Sequence, residues 1–458
     1  MKVLVCGAGQ VGFNIARYLA MENNDVTVVD QSPELVRRIS DSLDVKGIVG
    51  HASHPDVLER AGTGDTDIII AVTQADEVNM MACQVAHSLF EVPTKIARVR
   101  HQSYLNPIWS TLFSREHMPI DVIISPEIEV ARAVTRRFEV PGAFEMIPLA
   151  QGRVKLVGVR CDEGCPLVNT PLRQLTQLFP DLNIVIIGLT REGRAIVPTA
   201  DEQMLVGDEA YFVVDSDQLP RAMAAFGHEE AEARRLLIFG GGNIGLFLAK
   251  QVEADFPWVH TKMIEATADR AETIAADLKK TVVLYGDVLE PEILEEANVS
   301  ATDTTVAVTN DDETNILSSL LAKRYGCKRT IALINKPSYE SLITTLGIDV
   351  VVSPRNITVS TILQHVRRGR IHAVHTLREG FGELIEAEAM ETSGLVGQKL
   401  RDANIPTGAM VGAIVRHGQV ISPRGDTVIQ AHDRVVLFAT TEAVRKVEKL
   451  FSVRLEFF

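Results

Sequence analysis

Short apolar runs alternate with amphipathic helical stretches along this chain, and the whole alternation occurs twice. Runs rich in β-branched residues are typical of buried strands, whereas apolar positions spaced three and four apart are typical of helices. In the first half the pattern predicts helices such as Val11–Ala20 and Val78–Leu89 between six strands: Lys2–Cys6, Asp25–Val29, Gly47–Val49, Ile68–Val72, Lys95–Val99 and Val122–Ile124. Strands joined by helical crossovers predict an α/β fold with a doubly wound parallel sheet.

The second half repeats this pattern from Arg235 to about residue 370. The run Thr73–Asn79 recurs as Thr309–Asn315, and Asp121–Pro126 recurs as Asp349–Pro354. The spacing between matching positions drifts slowly along the chain. This drift indicates one ancestral unit that was duplicated and then acquired short loop insertions and deletions.

A different pattern follows each copy, with apolar alternation, a turn, a short strand stopped by proline, a second strand and a final helix pattern. The strands predicted in this way are Ile184–Leu189, Ala195–Pro198 and Ala210–Val214, and then Val411–Val415, Val420–Pro423 and Arg434–Phe438. We therefore predict two Rossmann-like doubly wound parallel-sheet domains, each followed by a small α+β domain. The predicted boundaries are residues 1–140 and 141–226, a linker at 227–233, and residues 234–370 and 371–458.

A glycine-rich turn follows the first strand of each copy, and an acidic residue, Asp30 or Glu265, ends the next strand. Glycines let the backbone approach a diphosphate, the following helix N-terminus stabilises it, and the acid accepts hydrogen bonds from ribose hydroxyls. An acid at this position also disfavours the extra phosphate of NADP. We therefore predict two nucleotide sites, whose turns are Gly7-Ala8-Gly9-Gln10-Val11-Gly12 and Gly240-Gly241-Gly242-Asn243-Ile244-Gly245.

Polar residues close the fourth strand of each predicted sheet, at the crevice where ligands bind in such folds. These residues are Thr73 and Gln74 in the first copy and Thr309 and Asn310 in the second. Their hydroxyl and amide groups suit contacts with ribose or phosphate, and capping of the next helix is an alternative of similar weight. We interpret the aspartates that follow, Asp76 and Asp312, as cap residues.

Arg98 and Arg100 alternate on the fifth strand, so both side chains are expected on one face. Two guanidinium groups there indicate phosphate binding, because arginine meets phosphate oxygens bidentately. The equivalent residues of the second copy are Leu333 and Asn335, with Lys336 beside them. We hypothesise that the first site tolerates a triphosphate such as ATP better, whereas the second site suits NAD(H) or an uncharged end of a ligand.

The loop after the third strand is expected at the edge of the adenine. It holds Gly50-His51 in the first copy and Gly286-Asp287 in the second. His51 and His54 are interpreted as ordinary loop residues, and no metal site is predicted anywhere in the sequence.

Composition excludes several classes of protein. The 458 residues carry a formal charge of −14, which disfavours binding to nucleic acid or to anionic lipid. No apolar run approaches the length of a membrane-spanning helix. Five cysteines fit a reducing compartment, and Cys6 and Cys83 are expected only to pack. The sequence thus predicts a soluble protein of the cytoplasm.

Signatures of catalysis are missing from the sequence. There is no GxxxxGK[ST] loop, no GxSxG nucleophile turn and no HExxH pair. The small domains offer scattered surface charges rather than an acid/base group beside a nicotinamide ring. We therefore predict a nucleotide sensor that is not an enzyme. The alternatives are a soluble NAD-dependent oxidoreductase with a duplicated cofactor domain, and a ligand-sensing scaffold with no membrane partner.

Specific motifs resemble the TrkA family, the cytoplasmic regulatory subunits of bacterial Trk potassium uptake systems, which contain two tandem RCK (also called KTN) units. The resemblance covers essentially the whole chain, and its motifs are most specific in the first half: Met1–Gly12, Gly50–Pro55, Thr73–Asn79 and Ile96–Arg100. It implies binding of NAD(H) and, as regulatory ligands, ATP and ADP. It also implies a homo-oligomeric ring, a tetramer, that is peripheral to the cytoplasmic face of the inner membrane and lies beneath a potassium channel.

The resemblance assigns site residues in both copies. In the first copy these are Gly7 to Val11, Asp30, Thr73, Gln74 and Arg98. In the second they are Gly240 to Ile244, Glu265, Thr309 and Asn310. The second copy departs from the arginine pattern at Leu333 and Asn335, so an arginine contact with phosphate is not expected there.

Overall fold

The structure is a computed structural model that describes residues 1–178, 183–366, 371–377 and 381–451. The chain divides into two units. The first unit comprises residues 1–129 together with helical residues 355–366, and the second comprises the remaining described residues.

Residues of the first Rossmann-like domain alternate between strands and helices. The strands are β1 (Lys2–Cys6), β2 (Asp25–Asp30), β3 (Lys46–Val49), β4 (Ile68–Ala71), β5 (Thr94–Arg98) and β6 (Val122–Ile124), and the helices between them are α1 (Gln10–Met21), α2 (Pro33–Ser42), α3 (Pro55–Arg60) and α4 (Asp76–Phe90). Helix α5 (Pro126–Glu139) follows β6, and its residues from Val130 onward belong to the second unit. All six strands are parallel, in the order β3-β2-β1-β4-β5-β6. The order changes direction at β1 and β4, and the carboxyl ends of these strands form the crevice that ligands use in such sheets.

The segment that follows is a small antiparallel domain. Its elements are β7 (Ala143–Leu149), β8 (Val154–Arg160), α6 (Leu172–Leu178), β9 (Ile184–Arg191), β10 (Arg194–Ile196), β11 (Glu209–Asp215) and α7 (Leu219–Ala225). The strands pair in the order β10-β9-β11-β8-β7. Apolar side chains such as Phe212 and Phe226 fill its core, with their rings stacked 4.7 Å apart.

The second Rossmann-like domain repeats the first. Its elements are β12 (Arg235–Phe239), α8 (Asn243–Asp255), β13 (His260–Glu265), α9 (Ala268–Asp277), β14 (Val282–Tyr285), α10 (Pro291–Glu296), β15 (Thr304–Ala307), α11 (Asp312–Arg324), β16 (Arg329–Leu333), α12 (Pro337–Leu346), β17 (Val350–Val352) and α13 (Pro354–Val366). The sheet order is β14-β13-β12-β15-β16-β17, which matches the first sheet strand for strand. The two sheets are thus two copies of one topology.

A second small domain ends the described chain. Its elements are β18 (Ile371–Thr376), β19 (Glu383–Glu388), β20 (Ala409–Arg416), β21 (Gln419–Ile421), β22 (Arg434–Ala439) and α14 (Val444–Phe451). The strands pair in the order β18-β19-β22-β20-β21. It packs against the first small domain through shared apolar side chains, among them Tyr211 and Phe381, whose rings stack 5.0 Å apart.

Helix α13 packs in the first unit, although it follows the last strand of the second sheet. Its apolar residues Val359, Ile362, Leu363 and Val366 are buried in the same cluster as β1, β2 and β4. The amphipathic pattern predicts that this face is buried but does not name its partner. The first Rossmann-like domain is therefore completed by a helix that follows the second parallel sheet in the sequence.

The predicted fold class is confirmed, since the structure contains two parallel Rossmann-like sheets, each followed by an antiparallel domain. The structure adds four strands that we did not identify in the small domains, β7, β8, β18 and β19. The predicted domain boundaries stay a prediction. No helix within the described ranges is long and apolar enough to cross a bilayer.

The predicted packing role of Cys6 and Cys83 is confirmed, because both side chains are fully buried. Burial raises the pKa of the Cys6 thiol to about 12 and also raises the pKa of Cys83. Both thiols therefore stay protonated at neutral pH and behave as small apolar side chains.

Candidate functional site

The two glycine turns have the same geometry. Gly7 and Gly240 adopt left-handed φ values of 113° and 101°, which favour glycine. A Cβ on Gly12 would lie 1.8 Å from the carbonyl oxygen of Gly7, and a Cβ on Gly245 would lie 2.0 Å from that of Gly240. Each helix can therefore begin directly against its turn only because these residues lack side chains.

The middle of each turn is open. Gly9 and Gly242 are the N-cap residues of α1 and α8, neither caps its helix with a side chain, and a Cβ on either would meet no atom within 4 Å. The first N–H groups of a helix have no partner within the helix. Each turn consequently presents unpaired backbone donors and the positive end of a helix dipole to open space, as an anion-binding turn requires.

A carboxylate is fixed beside each turn. Asp30 accepts hydrogen bonds from the N–H groups of Ala8 (2.7 Å) and Ser32 (2.8 Å). Glu265 accepts from Gly241 (2.8 Å) and Thr267 (2.9 Å). Each oxygen receives one donor and keeps a lone pair, so both carboxylates remain able to accept hydrogen bonds from ribose hydroxyls.

The threonines that close the fourth strand are held by a buried asparagine. Thr73 Oγ1 donates to Asn79 Oδ1 over 2.7 Å, and Asn79 Nδ2 donates to the Arg98 carbonyl over 2.9 Å. Thr309 and Asn315 make the same bonds in the second copy. Both threonine hydroxyl protons are engaged, so a ligand would meet these hydroxyls only as acceptors.

Sequence reasoning gave the buried asparagines no role, although their recurrence at the same place in both copies is a signal. Gln74 and Asn310, the neighbours of the two threonines, are exposed and make no hydrogen bond within the described residues. Their amides remain available at the crevice.

The prediction that Asp76 and Asp312 cap helices is wrong. The N-cap of α4 is Ala75 and that of α11 is Asp311, and the helices begin one residue later. Asp76 instead accepts from the backbone N–H groups of Arg100 and His101, and Asp312 accepts from those of Asn335 and Lys336. Each aspartate thus fixes the loop after the fifth strand, which carries the residues that face the crevice.

The two arginines of the first site have different surroundings. Arg100 Nε donates to Glu127 Oε1 over 2.8 Å and its side chain is 45% exposed. Arg98 Nε is buried and has no hydrogen-bond partner among the described residues. Burial, followed by repulsion from Arg100, lowers the pKa of Arg98. An N–H group that is buried without a hydrogen-bond partner is costly, so the Nε donor of the half-buried Arg98 is unsatisfied within the described residues.

Two further polar atoms near the end of β6 are buried without a partner in the described part of the chain. They are Ser125 Oγ and Glu127 Oε2, and neither residue was identified from the sequence.

In the second copy the residues equivalent to Arg98 and Arg100 bring no charge. Leu333 is buried, and Asn335 Nδ2 donates to Asp312 Oδ1 over 3.0 Å. The neighbouring Lys336 is ion-paired with Glu313 over 2.7 Å.

The chain is similar to known proteins over most of its length. The TrkA-N domain family matches residues 3–126 and 236–354, and the TrkA-C domain family matches residues 156–227 and 384–452. The Trk system potassium uptake protein TrkA of Azorhizobium caulinodans is 55% identical over 458 residues, covering 100% of both chains. The chain belongs to the TrkA family.

Two solved structures share the fold of this TrkA family member. The GsuK RCK domain has a TM-score of 0.61 and 19% identity, covering 99% of this chain and 95% of that chain. The GsuK channel bound to NAD has a TM-score of 0.62 and 18% identity, covering 99% and 79%. The tandem RCK-type architecture expected from the sequence motifs is thereby confirmed.

The loops after the third strands differ between the two copies. In the first, His51 Nδ1 lies 2.9 Å from Ser53 Oγ, and the His51 and His54 rings stack 4.7 Å apart. In the second, Asp287 Oδ1 accepts from the Leu289 N–H over 2.9 Å, so its carboxylate closes its own turn. The described residues include no group of three or more His, Cys, Asp or Glu side chains that could hold a metal ion.

One cation beside the second glycine turn was not identified from the sequence. Arg270, in the first turn of α9, donates from Nε to the carbonyl oxygen of Gly241 over 2.9 Å. The first copy has Leu35 at the corresponding position of α2. The signal in the sequence was the arginine in the turn that follows the acidic residue, a position that faces the glycine turn in this fold.

Proposed function

We propose that this chain is a nucleotide-sensing regulatory subunit that gates a potassium-translocating membrane protein of the Trk type. The observation that carries the proposal is the pair of open glycine turns, each with unpaired N–H donors and a fixed carboxylate. Relatives of the family are named as potassium uptake proteins, and a solved structure with the same fold is a channel bound to NAD. NAD(H), with ATP and ADP as regulatory ligands, is the proposed ligand class.

The proposed binding residues are those whose backbone or side chains border the two crevices. In this proposal the half-buried Arg98 supplies positive charge for a phosphate chain in the first site, and Arg100 supports it from its pair with Glu127. The full set is Gly7, Ala8, Gly9, Gln10, Val11, Gly12, Asp30, Thr73, Gln74, Arg98 and Arg100, and then Gly240, Gly241, Gly242, Asn243, Ile244, Glu265, Asp287, Thr309 and Asn310.

The proposed mechanism is a population shift. A nucleotide changes the balance between two conformations only as far as its affinity for them differs. In the proposed assembly the chain forms a homo-oligomeric ring, a tetramer, that is peripheral to the cytoplasmic face of the bacterial inner membrane. Ligand binding favours one ring geometry, and the ring transmits that change to the pore of its membrane partner.

The test is potassium flux through the membrane partner reconstituted with the full-length chain. We expect Arg98→Ala to raise the ATP or ADP concentration needed for a half-maximal response by at least about tenfold, because a charge-assisted hydrogen bond is lost. Arg60→Ala, which removes an exposed arginine from α3, is the matched control. Unchanged nucleotide dependence in Arg98→Ala would contradict the proposal.

The proposal includes that the chain is not an enzyme. This part of the proposal is supported by the sequence, in which the phosphate-binding loop of nucleotide hydrolases, the nucleophile turn GxSxG and the HExxH pair are all missing. Turnover of bound NADH with any small carbonyl compound would favour the alternative, a soluble NAD-dependent oxidoreductase.

A further inference from the structure

Arg270 is held against the glycine turn of the second site. Its Nε donates to the Gly241 carbonyl oxygen, and this is the only hydrogen bond that the side chain makes within the described ranges. The terminal nitrogens of the guanidinium are therefore uncommitted. The residue is half-buried, so its planar group has one edge fixed on the turn while the rest remains accessible.

The position of Arg270 is on the adenosine side of the crevice. Gly241 donates its N–H to Glu265 Oε2, and a Cβ on Gly241 would lie 3.0 Å from that same oxygen. The carbonyl that anchors Arg270 thus belongs to the residue beside the ribose acceptor. A nucleotide with its phosphates on the turn and its ribose on Glu265 would place its base next to this guanidinium.

The two sites carry their distinguishing cations at opposite ends of the crevice. In the first site Arg98 ends β5, which lies beyond β4 from the glycine turn. In the second site Arg270 follows β13, which lies on the other side of β12, the strand that precedes the glycine turn. Strand β16, the equivalent of β5, ends in the uncharged Leu333. The phosphate end of a ligand therefore meets extra charge in the first site, and the base end meets it in the second.

We propose that Arg270 is a specificity residue of the second site, whose planar guanidinium stacks on the adenine of the bound nucleotide. This inference rests on the proposed function, since it requires that the second crevice binds a nucleotide. A guanidinium stacks on an aromatic face, whereas an ammonium supplies charge without a plane. The second site then selects the base, and the first selects the phosphate chain.

The test is calorimetric titration of the full-length chain carrying Gly9→Asp, which places a carboxylate at the phosphate turn of the first site and leaves the second site to be observed. The probes are ADP and UDP, which share the diphosphate and differ in the base. We expect the preference for ADP over UDP to fall by about three- to tenfold in Arg270→Lys and Arg270→Met. In the matched Gly242→Asp chain the preference that depends on Arg270 is expected to disappear.

A purely structural role predicts a different result. If Arg270 only supports the turn, its replacement weakens ADP and UDP equally, and the unchanged ratio would overturn the inference. If Arg270→Lys retains the wild-type ratio, charge rather than stacking is responsible, which also overturns it. Selective loss of NADP(H) binding with an unchanged ADP to UDP ratio would assign the guanidinium to a 2′-phosphate instead.

Failure of the proposed function has its own signature. Absence of saturable binding by any nucleotide to the Gly9→Asp chain would remove the second site altogether. Saturable binding with a ratio insensitive to Arg270 would overturn only the stacking role. Titration of the Gly9→Asp chain, before any change at Arg270 is introduced, therefore distinguishes the two failures.

Discussion

Replacing Gly9 by aspartate separates ligand binding from folding in the first site. Gly9 has φ −66° and ψ −171°, an extended conformation that any residue adopts, and a Cβ there meets no atom within 4 Å. Aspartate is a preferred N-cap residue, and glycine is a weaker one. The substitution therefore adds a favourable cap to α1 while placing a carboxylate where the diphosphate of a ligand must lie.

In Gly9→Asp the stabilisation of the fold is smaller than the electrostatic repulsion of a bound phosphate. The carboxylate at the helix N-terminus stabilises the fold by about 0.5 to 1 kcal/mol through capping and the helix dipole. Repulsion between two unit charges about 4 Å apart is about 4 kcal/mol at an effective dielectric of 20, and about half of that where solvent reaches the site. Gly9 is exposed, so we expect Gly9→Asp to weaken nucleotide binding at the first site about 30- to 1000-fold.

The assay combines calorimetric titration with ATP and chemical denaturation of the full-length chain. Gly9→Asn is the matched control, because asparagine has the same shape and caps helices well but carries no charge. We expect Gly9→Asn to retain most of the affinity that Gly9→Asp loses, and both variants to be at least as stable as the parent. Gly242→Asp provides the same comparison in the second site, since its surroundings are equally open.

One result would refute the reasoning. If Gly9→Asp is folded and binds nucleotides at two sites with the affinities of the parent chain, then the turn does not receive a phosphate. Equal losses in Gly9→Asp and Gly9→Asn would show that side-chain volume, and not charge, is responsible.

Two further predictions concern stability. Asn79→Ala is expected to lower the free energy of unfolding by about 2 to 3 kcal/mol, because it leaves the partly buried Arg98 carbonyl and Thr73 N–H without their hydrogen bonds. Chemical denaturation measures this change, and Asn315→Ala should cost a similar amount. An unchanged midpoint would contradict the stabilising role of these asparagines. Burial raises the pKa of Glu253, but three N–H groups of residues 279–281 outweigh it and hold that pKa below its usual value. The stability that ionised Glu253 provides through these hydrogen bonds is complete above the unfolded pKa of about 4.3, and it is lost as pH falls through the lower folded pKa. In Glu253→Gln the free energy of unfolding should therefore fall less on acidification than in the parent chain, by about 1 kcal/mol. Identical acid denaturation of parent and variant would contradict the second prediction.

The parallel sheets were predictable because their strands are locally encoded. The strands Lys2–Cys6 and Val122–Ile124 have the bounds that the sequence indicated, and the others of that sheet differ by one or two residues. Strands buried on both faces read as continuous β-branched runs, which composition alone reveals. Strands β7 and β18 were missed, because the antiparallel edges of the small domains combine charged or polar residues with apolar ones.

The side-chain roles at the crevice were less predictable. Asp76 was expected to cap a helix and instead holds the backbone after β5, since helix caps and loop anchors draw on the same residue types. Arg98 and Arg100 were expected to act alike, yet within the described part of the chain only Arg100 forms an ion pair with an acidic side chain. That partner, Glu127, follows the next strand, and strand periodicity carries no information about it.

The sequence by itself determined the two glycine turns, because a left-handed φ at Gly7 and the absence of a side chain at Gly12 are local requirements that only glycine meets. It also determined the repeated order of strands and helices, since the spacing of apolar residues along the chain is a local property. Only the tertiary structure decided that α13 completes the first unit and that Arg270 reaches the second turn. It also decided that the Arg98 Nε atom is buried with no hydrogen-bond partner among the described residues. These facts depend on contacts between residues far apart in the chain, and periodicity shows which face is buried without showing what it is buried against.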